Sequence, residues 1–118
     1  MVRKILIVDD EPDVLKVIIF RLKKMGYEVI SAVDGEGVLD LIKKEKPDFI
    51  FLDLRLPKIS GSEICLSIKN DQELRCIPVI IITASSDKIK EIAKECKADG
   101  YILKPFNPDE LISKIKSF

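Results

Sequence analysis

Apolar and polar positions along this chain fall into two alternating periods. Short runs, KILIV at 4–8, FIFL at 49–52 and VIIIT at 79–83, are continuously apolar, as strands buried on both faces must be. EVISA at 28–32 and YIL at 101–103 complete a set of five predicted strands. Between the runs the apolar residues recur at helical spacing. Val14, Val17, Ile18 and Leu22 mark a first helix, with Pro12 in its first turn and Gly26 just past its end. Val38, Leu39 and Ile42 mark a second, which Asp34 is placed to cap. Ile64, Cys65 and Ile68 mark a third, and Ile89, Ile92, Ala93 and Cys96 a fourth opened by Ser85 or Ser86. Leu111, Ile112 and Ile115 mark a fifth, started by Asn107 as cap, Pro108 at the first position and Glu110 two residues on.

The order is β-α repeated five times, which requires a parallel sheet with helices on both faces and right-handed crossovers. The 118 residues suit one domain spanning 1–118, and no repeat, linker or low-complexity segment interrupts them. The fifth helix runs to the last residues, so the expectation leans to a stand-alone unit over one cut from a larger chain.

Composition narrows the function classes. Hydrophobic residues make up 47% and charged residues 34%, with Lys+Arg 20 balancing Asp+Glu 20, so nothing global points to nucleic acid or an acidic membrane. No apolar run is long enough for a membrane span or a signal peptide, and a cytoplasmic location is expected. Cys65, Cys76 and Cys96 lack metal-ligand spacing and read as reduced thiols. Histidine is absent, which removes Ser-His-Asp and Cys-His catalysis and most zinc chemistry.

What remains is a set of polar residues at predicted strand ends. The first strand ends in Asp9-Asp10, the third in Asp53, the fourth in Thr83 and the fifth in Lys104. Open doubly wound sheets bind ligands beyond these carboxyl ends, where strand order reverses. With a strand order of 2-1-3-4-5, strands one and three are neighbours and their three carboxylates share a rim. At about 4 Å and an effective dielectric near 20, each charged pair costs about 4 kcal/mol before screening. A cation, a lysine or protonation must offset this, and an oxygen-only ligand set completed by waters suits Mg²⁺ better than Ca²⁺. Taken singly each residue has a plainer role: aspartates cap helices, threonine favours strands and lysine is commonly solvated. Glu11 stands at the cap position before Pro12, so the acid pair is not obviously needed there. A nucleotide or flavin site is disfavoured, because no phosphate-binding glycine loop follows the first strand and the loop there, DDEPD, is acidic.

At these residues the chain resembles the receiver domains of two-component response regulators, the family that includes the single-domain chemotaxis regulator. The resemblance covers the whole chain. Its motifs are the acid pair in ILIVDDEPD, then FLDLRLPKISG, VIIITAS and YILKPF. It implies a flavodoxin-like (βα)5 fold and a phosphoacceptor, Asp53, which takes a phosphoryl group from a sensor histidine kinase or histidine phosphotransfer protein. It implies Mg²⁺ bound by Asp10, Asp53 and the backbone carbonyl of Arg55, with Asp9 acting through water, and phosphoryl oxygens held by Thr83 and Lys104. The Lys104-Pro105 bond is expected to be cis, as is characteristic of the family. Thr83 and Tyr101 would form the switch that reshapes the surface of the fourth helix, fifth strand and fifth helix; apart from the resemblance, Tyr101 reads as an amphipathic strand residue. Arg55 and Ser85, each two residues past a site residue, are positions that influence how long the phosphate survives. Ser60 stands where the family commonly has an acidic or amide residue, and Leu56 where methionine is frequent.

The expected activity is that of a signalling receiver rather than an enzyme on other substrates, one that catalyses its own phosphorylation and dephosphorylation. Its output would be a downstream protein or a truncated output domain, with no direct nucleic acid or membrane contact, as a monomer or weak dimer. Two rivals are a phosphorylation-independent docking module, which has no need of the intact acid set, and a phosphohydrolase, whose usual D-x-D nucleophile motif the first strand lacks.

Overall fold

The computed structural model describes residues 2–84 and 87–118. Strands β1 (Lys4–Val8), β2 (Glu28–Ala32), β3 (Phe49–Asp53), β4 (Val79–Thr83) and β5 (Gly100–Leu103) alternate with helices α1 (Pro12–Lys24), α2 (Val38–Glu45), α3 (Gly61–Lys69), α4 (Ile89–Glu95) and α5 (Pro108–Lys116). All strand pairs are parallel, in the order β2-β1-β3-β4-β5. β1 and β3 are therefore neighbours and the chain reverses direction across the sheet between them.

The pleat sorts side chains onto two cores. Ile5, Ile7, Phe49, Phe51, Ile80, Ile82 and Ile102 pack against α1 and α5 through Leu15, Ile18, Leu22, Leu111 and Ile115. Leu6, Val8, Ile50, Leu52, Val79 and Ile81 face α2, α3 and α4 through Val38, Ile42, Ile64, Ile68 and Ile89. Every residue of β3 and β4 is buried, while β2, at one edge, is only half-buried. At about 1.5–3 kcal/mol for each large apolar side chain taken from water, the central strands contribute the largest share of apolar burial.

Several local expectations need correction. Val17 is 58% exposed, and Leu15 takes the buried place on α1. Asp34 does not cap α2: the residue before that helix is Gly37 at φ 75°, and the Asp34 carboxylate accepts from Glu36 N–H while pairing with Lys58. β3 extends one residue further than its apolar run, to Asp53 itself, and β5 starts one earlier, at Gly100. The proposed opening of α4 at Ser85 or Ser86 lies outside the described residues; Lys88 precedes the helix. Elsewhere the signals hold. Asn107 accepts from Asp109 N–H ahead of Pro108, and Gly26 at φ 94° turns the chain out of α1. Ser60 caps α3 by accepting from Glu63 N–H, so serine serves the loop where the family commonly has an acid or amide. The three thiols are free, Cys65 and Cys96 buried and Cys76 exposed.

Candidate phosphoacceptor site

The carboxyl ends of β1, β3 and β5 bring their polar residues together. Asp9 is fully buried and Asp53 nearly so, while Asp10 is exposed beside them. Pleat parity explains the convergence. Asp9, Asp53 and Lys104 each lie two residues beyond a side chain on the α1/α5 face, namely Ile7, Phe51 and Ile102. The Lys104 ammonium lies 2.9 Å from Asp53 Oδ2, 2.9 Å from Asp9 Oδ2 and 2.8 Å from Glu11 Oε1. The bonds to Asp53 and Glu11 are aligned hydrogen bonds. Asp9 Oδ2 is within ion-pair reach of the same ammonium but out of hydrogen-bond alignment, which leaves a buried carboxylate oxygen without an aligned donor.

Backbone donors hold the remaining oxygens. Asp9 Oδ1 accepts from Glu11 N–H at 2.9 Å, and Asp53 Oδ1 from Arg55 N–H at 3.0 Å. The turn after Asp53 is therefore wrapped over its carboxylate, with residue 55 in the same turn and the Arg55 side chain exposed. Gly61 makes this wrapping possible: a Cβ there would sit 2.1 Å from the Asp53 carbonyl oxygen. Lys104 is fixed through its own N–H, which donates to the Thr83 carbonyl at 2.8 Å, and the Lys104-Pro105 bond is cis.

Thr83, buried at the end of β4, belongs to the other face of the pleat. It follows Ile81 on the α4 side, where Tyr101 also packs. In the β4–β5 register Thr83 is opposite Leu103 and Ile81 opposite Tyr101, so Thr83 and Tyr101 are diagonal neighbours on one face. Asp9, Asp53 and Lys104 thus occupy one face, and the hydroxyl and the aromatic the other.

Electrostatics follow from this geometry. One oxygen from each of Asp9, Asp10, Glu11 and Asp53 lies within 4.8 Å of the others. Against these four carboxylates stands one ammonium. Burial raises the Asp53 carboxyl above its ordinary value, with Asp9 adding to the rise, and the bonds from Lys104 and Arg55 N–H only partly oppose it. Burial lowers the Lys104 pKa, but its interactions with the Glu11, Asp9 and Asp53 carboxylates outweigh it and the net shift is upward. The lysine therefore stays charged. An all-oxygen donor set with surplus negative charge and a buried, unaligned carboxylate oxygen fits a hard divalent cation.

Residues 5–116 match the family described as "Response regulator receiver domain". The chain belongs to that family. Receiver domains accept phosphoryl groups, bind Mg²⁺ at an acidic pocket, and interact with histidine kinases or phosphotransferases and with output domains. Among solved structures, the chain is similar to a putative response regulator from Chloroflexus aurantiacus, at 34% identity and TM-score 0.92, covering 99% of this chain and 97% of that one. It is similar to the chemotaxis response regulator CheY4 of Vibrio cholerae, at 28% identity and TM-score 0.90 over 99% and 98%. It is also similar to the response regulator TrrA of Thermotoga maritima, solved in complex with Mg²⁺-BeF, at 34% identity and TM-score 0.86 over 98% and 97%. As a receiver, the chain has the five-stranded parallel fold expected of one.

Two residues of this site escaped the sequence reading. Position along the chain gives Glu11 only a cap role, yet it makes no side-chain cap bond and its carboxylate turns to Lys104. Its adjacency to the acid pair was the available signal. Gly61 closes the segment FLDLRLPKISG, and only the fold shows the backbone that a side chain there would strike. Ser85 lies outside the described residues. No helix among the described residues is long and apolar enough to cross a membrane.

Proposed function

We propose that this receiver domain, taken as residues 1–118, is a phosphorylation-controlled switch with Asp53 as the phosphoacceptor. The observation that carries the reading is the Lys104 ammonium held 2.9 Å from both Asp9 and Asp53 within an all-oxygen acid cluster. A carboxylate attacking a phosphoryl group brings anion to anion, and the barrier falls only if fixed positive charge faces the equatorial oxygens. Lys104 is the protein's contribution to that charge. Mg²⁺, when bound, neutralises the remainder, and Asp10, Asp53 and the Arg55 carbonyl would hold it, with Asp9 through water.

The donor would be a phosphohistidine on a kinase or phosphotransfer protein. Its P–N bond breaks with the electron pair returning to the imidazole, and a P–O bond forms on Asp53 to give an acyl phosphate. Hydrolysis of that bond at the same site would end the signal, and the exposed Arg55 side chain would shield it from water. An apolar groove of about 520 Å³ between α1 and the segment after β5 supports a protein donor. Val14, Val17, Pro105 and Phe106 line it, and it reaches Glu11 and Lys104 at the site.

Thr83 would take a phosphoryl oxygen, and its movement would bias the Tyr101 ring on the same sheet face, changing the α4-β5-α5 surface read by an output partner. A cytoplasmic monomer or weak dimer fits this role. The test is intact mass after treatment with a small phosphodonor and Mg²⁺. Wild type is expected to gain one phosphoryl group and Asp53→Asn none; equal gain by both would move the acceptor elsewhere.

A further inference from the structure

Lys104 has two fixed neighbours and one that can leave. Asp9 and Asp53 are buried at strand ends, and each has its other oxygen tied to a backbone N–H. Glu11 differs: its side chain is 57% exposed, yet it places Oε1 2.8 Å from the ammonium. Glu11 is the residue before α1 but makes no side-chain bond to that helix, so the lysine rather than the helix directs its carboxylate. An ammonium has three N–H donors. Aligned bonds to Glu11 and Asp53 take two of them, and Asp9 Oδ2 crowds the ammonium at 2.9 Å without alignment. An incoming phosphoryl oxygen therefore competes with the carboxylates for this ammonium, and the solvated Glu11 side chain is the one that can return to water at least cost.

Resting on the phosphoacceptor reading, we infer that Glu11 is a displaceable counter-ion. It occupies the phosphoryl position on Lys104 in the unphosphorylated protein and thereby sets how readily the site takes up a phosphoryl group. Glu11 is a positioning residue: it acts on the reaction through Lys104 and touches no reacting atom. In the resting protein it partly neutralises the lysine and holds it at the mouth of the site. After transfer it is driven off by the charge on the phosphoryl oxygens. Its exposure makes this an inexpensive exchange, because a half-solvated ion pair is worth little.

The experiment uses the whole chain at saturating Mg²⁺, titrated with beryllofluoride as the phosphoryl mimic and followed by fluorine NMR. Glu11→Gln is expected to bind beryllofluoride about two- to five-fold more tightly than wild type. Glu11→Asp, one methylene shorter, should behave like Glu11→Gln. Mg²⁺ affinity measured separately by calorimetry keeps any metal effect apart. A second readout is independent of loading: the Lys104 ammonium resonance of the Mg²⁺-free protein should shift and exchange faster with water in Glu11→Gln. Unchanged or weaker beryllofluoride binding at saturating Mg²⁺, or an unaltered ammonium resonance, overturns the inference. Wild type that takes up neither beryllofluoride nor phosphate overturns the phosphoacceptor reading and this inference with it. Uptake by wild type without gain in either variant overturns the counter-ion role alone.

Discussion

The two edges of this sheet use acids in opposite ways. At the amino edge, Asp48 accepts from Arg3 N–H and Lys4 N–H at 3.0 and 2.9 Å, tying the start of β3 to the start of β1. Asp99 does the same one layer over, accepting from Val79 N–H at 2.8 Å. It also pairs with the nearly buried Lys69 ammonium at 2.7 Å, whose other bonds go to the carbonyls of Arg75 and Ile77. There acid and base are matched. At the carboxyl edge, four carboxylates cluster and three of them pair with one lysine. Their pKa shifts carry opposite signs: the Lys4 backbone N–H leads in pulling Asp48 below its ordinary value, while burial pushes Asp53 above it. Matched acid and base stabilise a fold; an excess of carboxylates over cations leaves charge that a hard cation can offset.

The largest effect that separates the edges is kinetic. Lys104→Ala should slow phosphorylation by a small phosphodonor by about 100- to 1000-fold, the scale of removing one preorganised charge from a transition state. Lys69→Ala should leave that rate unchanged and instead lose about 1–2 kcal/mol in urea unfolding, since it removes a nearly buried ammonium from the part-exposed Asp99 carboxylate and from two carbonyls. A slower phosphorylation in Lys69→Ala, or an unslowed one in Lys104→Ala, would erase the distinction.

A smaller effect tests the strain at the carboxyl edge. Without Mg²⁺, Asp53→Asn should melt about 2–5 °C higher than wild type at neutral pH, because it removes a carboxylate whose charged form the fold disfavours. The sign fixes the pH dependence. A raised carboxyl pKa means the native state binds more protons than the unfolded chain, so this term gains stability as pH falls from neutral toward the ordinary value of 3.8. The advantage of Asn should shrink over that interval. Asp48, whose pKa is lowered, contributes stability present above its ordinary value of 3.8 and lost as pH falls through its folded pKa. Thermal melts of Asp53→Asn and Asp48→Asn across acid pH should therefore diverge from wild type in different windows.

Much of this was legible in the residues. FIFL and VIIIT could only be doubly buried strands, and Asn107-Pro108 could only open a helix, because these signals are local. The strand-end polar set was legible once the sheet rule was applied. Val17 was misplaced because helical spacing alone cannot say whether Val17 or Leu15 faces the sheet. Asp34 was misplaced because Lys58, on another loop, offers its carboxylate a better partner than the helix does.

From sequence alone come the ten elements, their parallel arrangement and the acids, hydroxyl and lysine at the strand ends, because period and end position are properties of adjacent residues. The tertiary structure alone decided that Glu11 faces Lys104, 93 residues away, that residue 61 has no room for a side chain, and which pleat face each site residue takes. Those facts depend on distances between distant segments, and such distances exist only once the sheet has formed.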